Sequence, residues 1–163
     1  MKIGVISDTH IPANCPQIPK QLLDRLKGVD FILHAGDITE LSAIEQLNKV
    51  ASVTAVSGNM DSFAVKAKLP QKKIVTVGNF KIGLIHELGR ASKRLETVHR
   101  EFCGIKIDAV VFGHTHCPLN ETTKGILFFN PGSPTDGILS PYKSIGIISV
   151  SDKVVGEIIK LNS

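Results

Sequence analysis

Seven residues of this chain have side chains able to grip divalent cations, and they stand in short clusters far apart in sequence: Asp8 with His10, Asp37, Asn59, His86, and His114 with His116. Carboxylate, amide and imidazole donors of this mixture suit manganese, iron, zinc or nickel. Taken singly, each has an ordinary explanation. An Asp in such a place is usually a turn or helix cap, a Gly-Asn is usually a turn, and a lone His on an apolar stretch is more often a hydrogen-bonded core residue. Together they supply both halves of a binuclear site, and a cation pair held there would activate water and neutralise charge on an anionic substrate. Gly36, Gly58 and Gly113 adjoin three of the clusters and permit sharp turns and close approach of backbone to ions.

All seven residues follow closely on segments that read as strands. Lys2 to Ser7 is a buried strand. A helix follows with Ile18, Leu22, Leu23 and Leu26 on one face, Pro19 in its first turn and Gly28 closing it. Next come a strand from Asp30 to Ala35, a helix with Leu41, Ile44 and Leu47 inward and Thr39 as its cap, and a strand from Ala51 to Val56. Strands Lys73 to Val77 and Phe80 to Ile85 are joined by a Gly78-Asn79 hairpin turn. In a third helix, Arg90 to Phe102, the apolar positions are Ala91, Leu95, Val98 and Phe102, while Lys93, Arg94, Glu96 and Arg100 face water. After a strand from Ala109 to Phe112 the chain is β-rich, with strands Leu119 to Thr122, Ile126 to Phe129, Ser144 to Val150 and Val154 to Ile159. Strands alternating with amphipathic helices feed a parallel sheet, and the C-terminal edges of such strands converge on one crevice. With no repeat or linker, residues 1–163 read as a single domain.

Bulk properties narrow the partners. A hydrophobic share of 42% without an apolar run near ~20 residues fits a soluble protein with no membrane contact. The apolar start is expected to be the first strand rather than an export leader, since it runs straight into Ser7-Asp8-Thr9-His10. Cys15, Cys103 and Cys117 are too few and too scattered for a disulfide framework or a zinc ribbon, which points to the reducing cytoplasm. The net charge of +4 comes from dispersed basic residues, and one Tyr with no Trp leaves little for stacking bases, so nucleic acid is not the expected partner.

Asp8-Thr9-His10, Gly36-Asp37, Gly58-Asn59, His86 and Gly113-His114-Thr115-His116, in that order, resemble the motif set of the calcineurin-like metallophosphoesterase superfamily. The short chain and the Asn130-Pro131-Gly132-Ser133 segment make it most similar to the compact YfcE-like phosphodiesterase branch, related to the retromer subunit. The resemblance implies a four-layer αββα sandwich of two mixed sheets. It implies two divalent metal ions, manganese first with zinc, iron or nickel as alternatives. Asp8, His10 and His116 would bind one, Asn59, His86 and His114 the other, with Asp37 bridging, and Asp37, Asn59 and His114 would also serve catalysis. The implied reaction is hydrolysis of a small phosphate ester, most readily a phosphodiester, by a hydroxide shared between metals about 3.5–4 Å apart. A homodimer or homotetramer is compatible with the resemblance and with exposed strand edges. Two other functions compete: a protein-interaction module keeping the fold without the activity, and a nuclease. The first predicts lost ligands, and none of the seven is lost.

Two positions depart from the superfamily pattern. Many members have His directly after the Gly-Asn, as the acid that protonates the leaving oxygen, and here Met60 stands there. Loss of a general acid typically costs ~10²–10⁴-fold, so slow turnover of poor leaving groups is expected. Glu87 stands where the family usually shows Gly, and reads as a solvated loop carboxylate. Plain structural roles are expected elsewhere: Asp61 as a turn residue or an orienting group, His34 as a buried histidine behind the site, His99 at the surface and Cys117 as a small buried residue. Asn130 to Ser133 is expected to form a tight turn at the rim, with Ser133 a weak candidate for phosphate contact.

Overall fold

The computed structural model describes residues 1–162; Ser163, the last residue of the expected domain, lies outside them. In chain order the elements are β1 (Lys2–Ile6), α1 (Lys20–Arg25), β2 (Phe31–His34), α2 (Leu41–Asn48), β3 (Val53–Ala55), α3 (Phe63–Lys68), β4 (Lys72–Val77) and β5 (Phe80–Ile85). A short 3-10 turn, Ala91–Lys93, then leads into α4 (Arg94–Glu101). It is followed by β6 (Ala109–Val111), β7 (Leu119–Thr123), β8 (Ile126–Asn130), β9 (Ser144–Val150) and β10 (Val154–Lys160). The strands form two five-stranded sheets, ordered β10-β9-β1-β2-β3 and β4-β5-β6-β8-β7. Each is parallel at its centre, β1 to β2 to β3 in one and β5 to β6 to β8 in the other, with antiparallel strands at the margins.

The alternation of side chains along a strand produces the layering. Ile3 and Val5 of β1 and Leu33 of β2 point between the sheets, against Ile82 and Leu84 of β5, Ala109 and Val111 of β6, and Leu127 and Phe129 of β8. Ile6 and Ile32 point to the opposite face, where Leu22 and Leu26 of α1, Ala43 and Leu47 of α2 and Val65 of α3 cover them. On the far side Val110 and Phe128 meet Val98 of α4 and Phe102 just beyond it. Full burial of one such side chain contributes about 1.5–3 kcal/mol, so three contiguous clusters give a rigid frame from which loops can project. The result is the expected αββα sandwich. Among the described residues no helix is long and apolar enough to cross a membrane.

Local expectations needed correction. The helix α3 was not anticipated, because it buries only Val65 and leaves Phe63 87% exposed, so it carries no apolar stripe. Thr39 does not cap α2: Glu40 takes the cap position without a side-chain bond, and Thr39 sits at φ +78 in a bridge with Ile11. The third helix is shorter than expected, and Ala91 is exposed rather than inward. Arg94, expected in water, lays its guanidinium over the Phe112 ring, 5.4 Å from the centroid.

Candidate metal centre

The central parallel strands of both sheets deliver their C-terminal ends to one side of the molecule. There β1 leads to Asp8 and His10, β2 to Asp37, β3 to Asn59, β5 to His86, and β6 to His114 and His116. All seven expected residues are brought together. His10 Nε2 stands 3.3 Å from His116 Nε2, and His116 Nε2 is 3.5 Å from Asp8 Oδ1. On the other side, Asn59 Oδ1 lies 2.9 Å from His86 Nε2 and 3.1 Å from His114 Nδ1. Asp37 Oδ2 sits between the two groups, 3.7 Å from His10 Nε2 and 3.4 Å from His86 Nε2. Asp8 also reaches across: Asp8, His10 and His116 make one compact donor group, and Asp8, Asp37 and His86 make a second.

The hydrogen bonds behind these side chains decide which atoms are free to coordinate. His86 donates its Nδ1–H to the Ala35 carbonyl at 2.8 Å, so that when the ring is neutral Nε2 carries the lone pair free to coordinate. That lone pair faces two oxygens, Asn59 Oδ1 and Asp37 Oδ2, neither of which can donate. His116 is arranged in the same way: its Nδ1 lies against Asp136 Oδ2, so its Nε2 is turned toward the His10 nitrogen. Side chains of the kinds that ligate metals thus converge, and the imidazole and carboxylate groups present fit a divalent transition metal. Burial pushes the Asp8 carboxyl above its usual range, and the nearby imidazoles offset this only in part. Burial acts on Asp37 in the same direction, but the hydrogen bond and charge of His86 and the Met60 N–H prevail and hold its carboxyl low. For His86, burial disfavours the charged ring, yet Asp37 and Asp8 outweigh it and raise its pKa.

The backbone is bent to achieve this convergence. Among the described residues, the non-glycine residues at positive φ are Asp8, His10, Asp37, Thr39, His114, His116 and Lys124, and five of them belong to the candidate set. Such conformations cost on the order of 1–3 kcal/mol each and cluster at functional sites. Close approach requires glycine at two points. A Cβ on Gly58 would lie 2.2 Å from Asp37 Oδ1, and one on Gly113 would lie 2.6 Å from Asp8 Oδ2.

Several polar residues hold the strained loops; the sequence reading singled out all but Asp136, though not what most of them bond to. Asp61 is buried, accepting the Thr39 N–H and the Gly58 N–H at 2.6 Å each, and so ties the Asp37 loop to the Asn59 loop. Asn130 donates from Nδ2 to the Gly113 carbonyl at 3.0 Å and to Thr115 Oγ1 at 3.0 Å. Ser133 is fully buried and donates to the Asp8 carbonyl at 2.7 Å, so the Asn130 to Ser133 segment lies beneath the site and not at its rim. That position removes Ser133 from contact with phosphate. His34, expected behind the site, is fully buried there: Gly36 N–H donates to its Nδ1 at 3.2 Å, and its Nε2–H donates to Thr9 Oγ1 at 3.1 Å. Burial pushes its pKa down to about 3. Asp136 was not singled out at all, because a lone Asp in a turn-rich stretch carries no signal; burial would raise its pKa, but the Ile138 N–H and the His116 ring outweigh this and hold it low. Cys117 is exposed, contrary to the expectation of burial, since the chain turns outward directly after His116. His99 is exposed as expected, and exposed Glu87 stands 3.9 Å from His114 Nε2. A cavity of about 540 Å³ opens beside the second donor group, lined by Asn59, His86, Lys66, Lys72, Glu87 and Glu101 among others.

The chain is similar to known proteins over nearly its whole length. A probable metallophosphoesterase of Methanocaldococcus jannaschii is 38% identical over 165 residues, covering 99% of this chain and 82% of that protein. A phosphodiesterase of the same organism is 30% identical over 172 residues, covering 98% of this chain and 99% of its own length. The solved structure of vacuolar protein sorting 29 from Cryptosporidium parvum superposes with a TM-score of 0.83 at 26% identity, covering 99% of this chain and 91% of that one. Residues 1–153 match the profile of the calcineurin-like phosphoesterase superfamily domain, and the chain belongs to that superfamily.

Proposed function

We propose that the protein is a binuclear metal-dependent phosphodiesterase. Asp8, His10 and His116 would hold one divalent cation and Asn59, His86 and His114 a second, with Asp37 standing between the two groups. The observation that carries this reading is the convergence of imidazole nitrogens and carboxylate and amide oxygens from five loops on one surface point. When bound, such a cation pair lowers the pKa of water and neutralises charge on a phosphate attacked in line. The side chains do the rest. Neutral imidazoles keep the site positive and attractive to an anionic ester. Asp37, Asn59 and His114 would serve catalysis, and Asn59 and His114 are exposed to an incoming phosphate. The cavity beside Asn59 and His86 has room for the second alcohol of a diester, with two lysines and two glutamates in balance on its walls. Manganese is the first metal to test, in a cytoplasmic protein of one domain. Metal analysis is coupled to a panel of aryl phosphomonoesters, aryl phosphodiesters and cyclic nucleotides with added manganese. The expected result is two cations per chain and turnover of diesters; metal-loaded protein that leaves every phosphate ester intact overturns the proposal.

A further inference from the structure

The loop between β8 and β9 carries a buried carboxylate to the back of the metal centre. Asp136 Oδ2 lies against His116 Nδ1, and Oδ1 accepts the Ile138 N–H at 2.7 Å and the Leu139 N–H at 3.1 Å. The Asp136 N–H donates to Ser133 Oγ at 3.0 Å, and Thr135 Oγ1 donates to the Thr9 carbonyl at 2.9 Å. Turning the carboxylate away from the imidazole would break its bonds to the Ile138 and Leu139 N–H groups, in a loop that Ser133 and Thr135 tie to the Asp8 and His10 segment. The other two imidazoles opposite have no such partner: His86 Nδ1 faces a neutral carbonyl, and His114 Nε2 is 3.9 Å from an exposed Glu87, beyond a hydrogen bond.

We propose that Asp136 is the positioning carboxylate of one half-site, taking the Nδ1–H of His116 so that its bare Nε2 is held toward Asp8 and His10. The inference rests on the metal-pair reading above. A neutral imidazole can carry its proton on either nitrogen. Without Asp136, the proton is free to sit on Nε2 and point at Asp8 Oδ1, which is 3.5 Å away and competes with a cation for the same position. With Asp136 in place, that tautomer is lost, and the anion makes the ring a stronger donor to metal. Because only this half-site has an anionic outer partner, the two cations load unequally, and the Asp8, His10 and His116 site fills first.

Calorimetric titration of chelator-stripped protein with Mn²⁺ tests the assignment in wild type, Asp136→Asn and Asp136→Ala. The expected result is that the tighter of two binding steps weakens by about 10–100-fold in the alanine variant. The asparagine variant should fall between, and the weaker step should stay unchanged. In metal-free protein at alkaline pH, ¹⁵N NMR should find the His116 proton on Nδ1 in wild type and redistributed in Asp136→Ala. Both steps weakening alongside a lowered melting temperature of the metal-free protein means a merely structural carboxylate and overturns the proposal, as does no change in either step. Wild type that binds no Mn²⁺ sinks the metal-pair reading itself, whereas an unchanged His116 tautomer sinks only the role given to Asp136.

Discussion

Acid should destabilise this fold through His34, and the size of the effect follows from the structure. The ring is fully buried, and its Nδ1 accepts the Gly36 N–H, so a second ring proton would face another donor. Its pKa is pushed down to about 3, whereas the unfolded chain offers the ordinary value of 6.5. A buried group that refuses a proton makes the unfolded state the one that binds more protons, so stability is fully present above pH 6.5 and is lost as pH falls toward 3. Within that window the slope is about 1.4 kcal/mol per pH unit, which amounts to about 2 kcal/mol by pH 5. His34→Gln removes the titrating group. At pH 7.5 the variant should be less stable than wild type by about 1–3 kcal/mol, because the bonds to Gly36 and Thr9 are weakened. By pH 5 that gap should shrink by about 2 kcal/mol, because only wild type bears the acid penalty. Denaturant unfolding of chelator-treated protein at pH 7.5, 6 and 5 reads the difference, and titrations common to both proteins cancel. A gap that stays constant across the three pH values would show that His34 is not the buried neutral ring described here.

Two further substitutions test the loops around the site. Met60→His restores an acid beside Asn59; since Met60 is 61% exposed and its contact with Asp37 is made by its backbone N–H, the exchange should not disturb packing. Hydrolysis of alkyl diesters should rise at least about tenfold, within the ~10²–10⁴ that general-acid catalysis supplies, while aryl diesters change little. Unimproved alkyl turnover would contradict the account of Met60. Asp61→Ala removes both hydrogen bonds that join the Asp37 and Asn59 loops and should cost about 3–5 kcal/mol in denaturant unfolding, with Asp61→Asn losing roughly half as much. A loss within error for the alanine variant would mean the clamp contributes nothing.

The layers and the seven converging residues were legible in the sequence for one reason: each depends on a local pattern. Ile3, Val5 and Ile6, or Val110 and Val111, form β-branched runs that read as strands wherever they occur, and a chemically distinctive residue after each run marks the strand's end. What was not legible depends on partners remote in sequence. Thr39 before an amphipathic stretch looks like a cap, yet its conformation is set by a bridge to Ile11 and a bond to Asp61. Asp61, Asn130, Ser133 and Asp136 are polar residues of turn-like segments, and nothing local separates them from solvent-facing ones. Each is buried, and each bonds to a loop that arrives from another strand. Helix α3 failed for the opposite reason, since it buries too little to leave a pattern.

The same division explains how a strained site persists. Five ligand candidates at positive φ would together cost several kcal/mol, and no apolar contact of their own offsets this. Stability comes instead from the clusters between and outside the sheets, which contain none of the seven residues. The frame therefore does not depend on what the loops hold, and the loops depend on a small set of buried polar ties: Asp61 between two of them, Asn130 and Ser133 beneath, Asp136 behind. A chain selected only to keep the fold would have no need of ties that hold five strained loops against one another at one surface point. Their presence alongside an intact donor set is a physical reason, independent of likeness to any relative, to read this surface as built around cations.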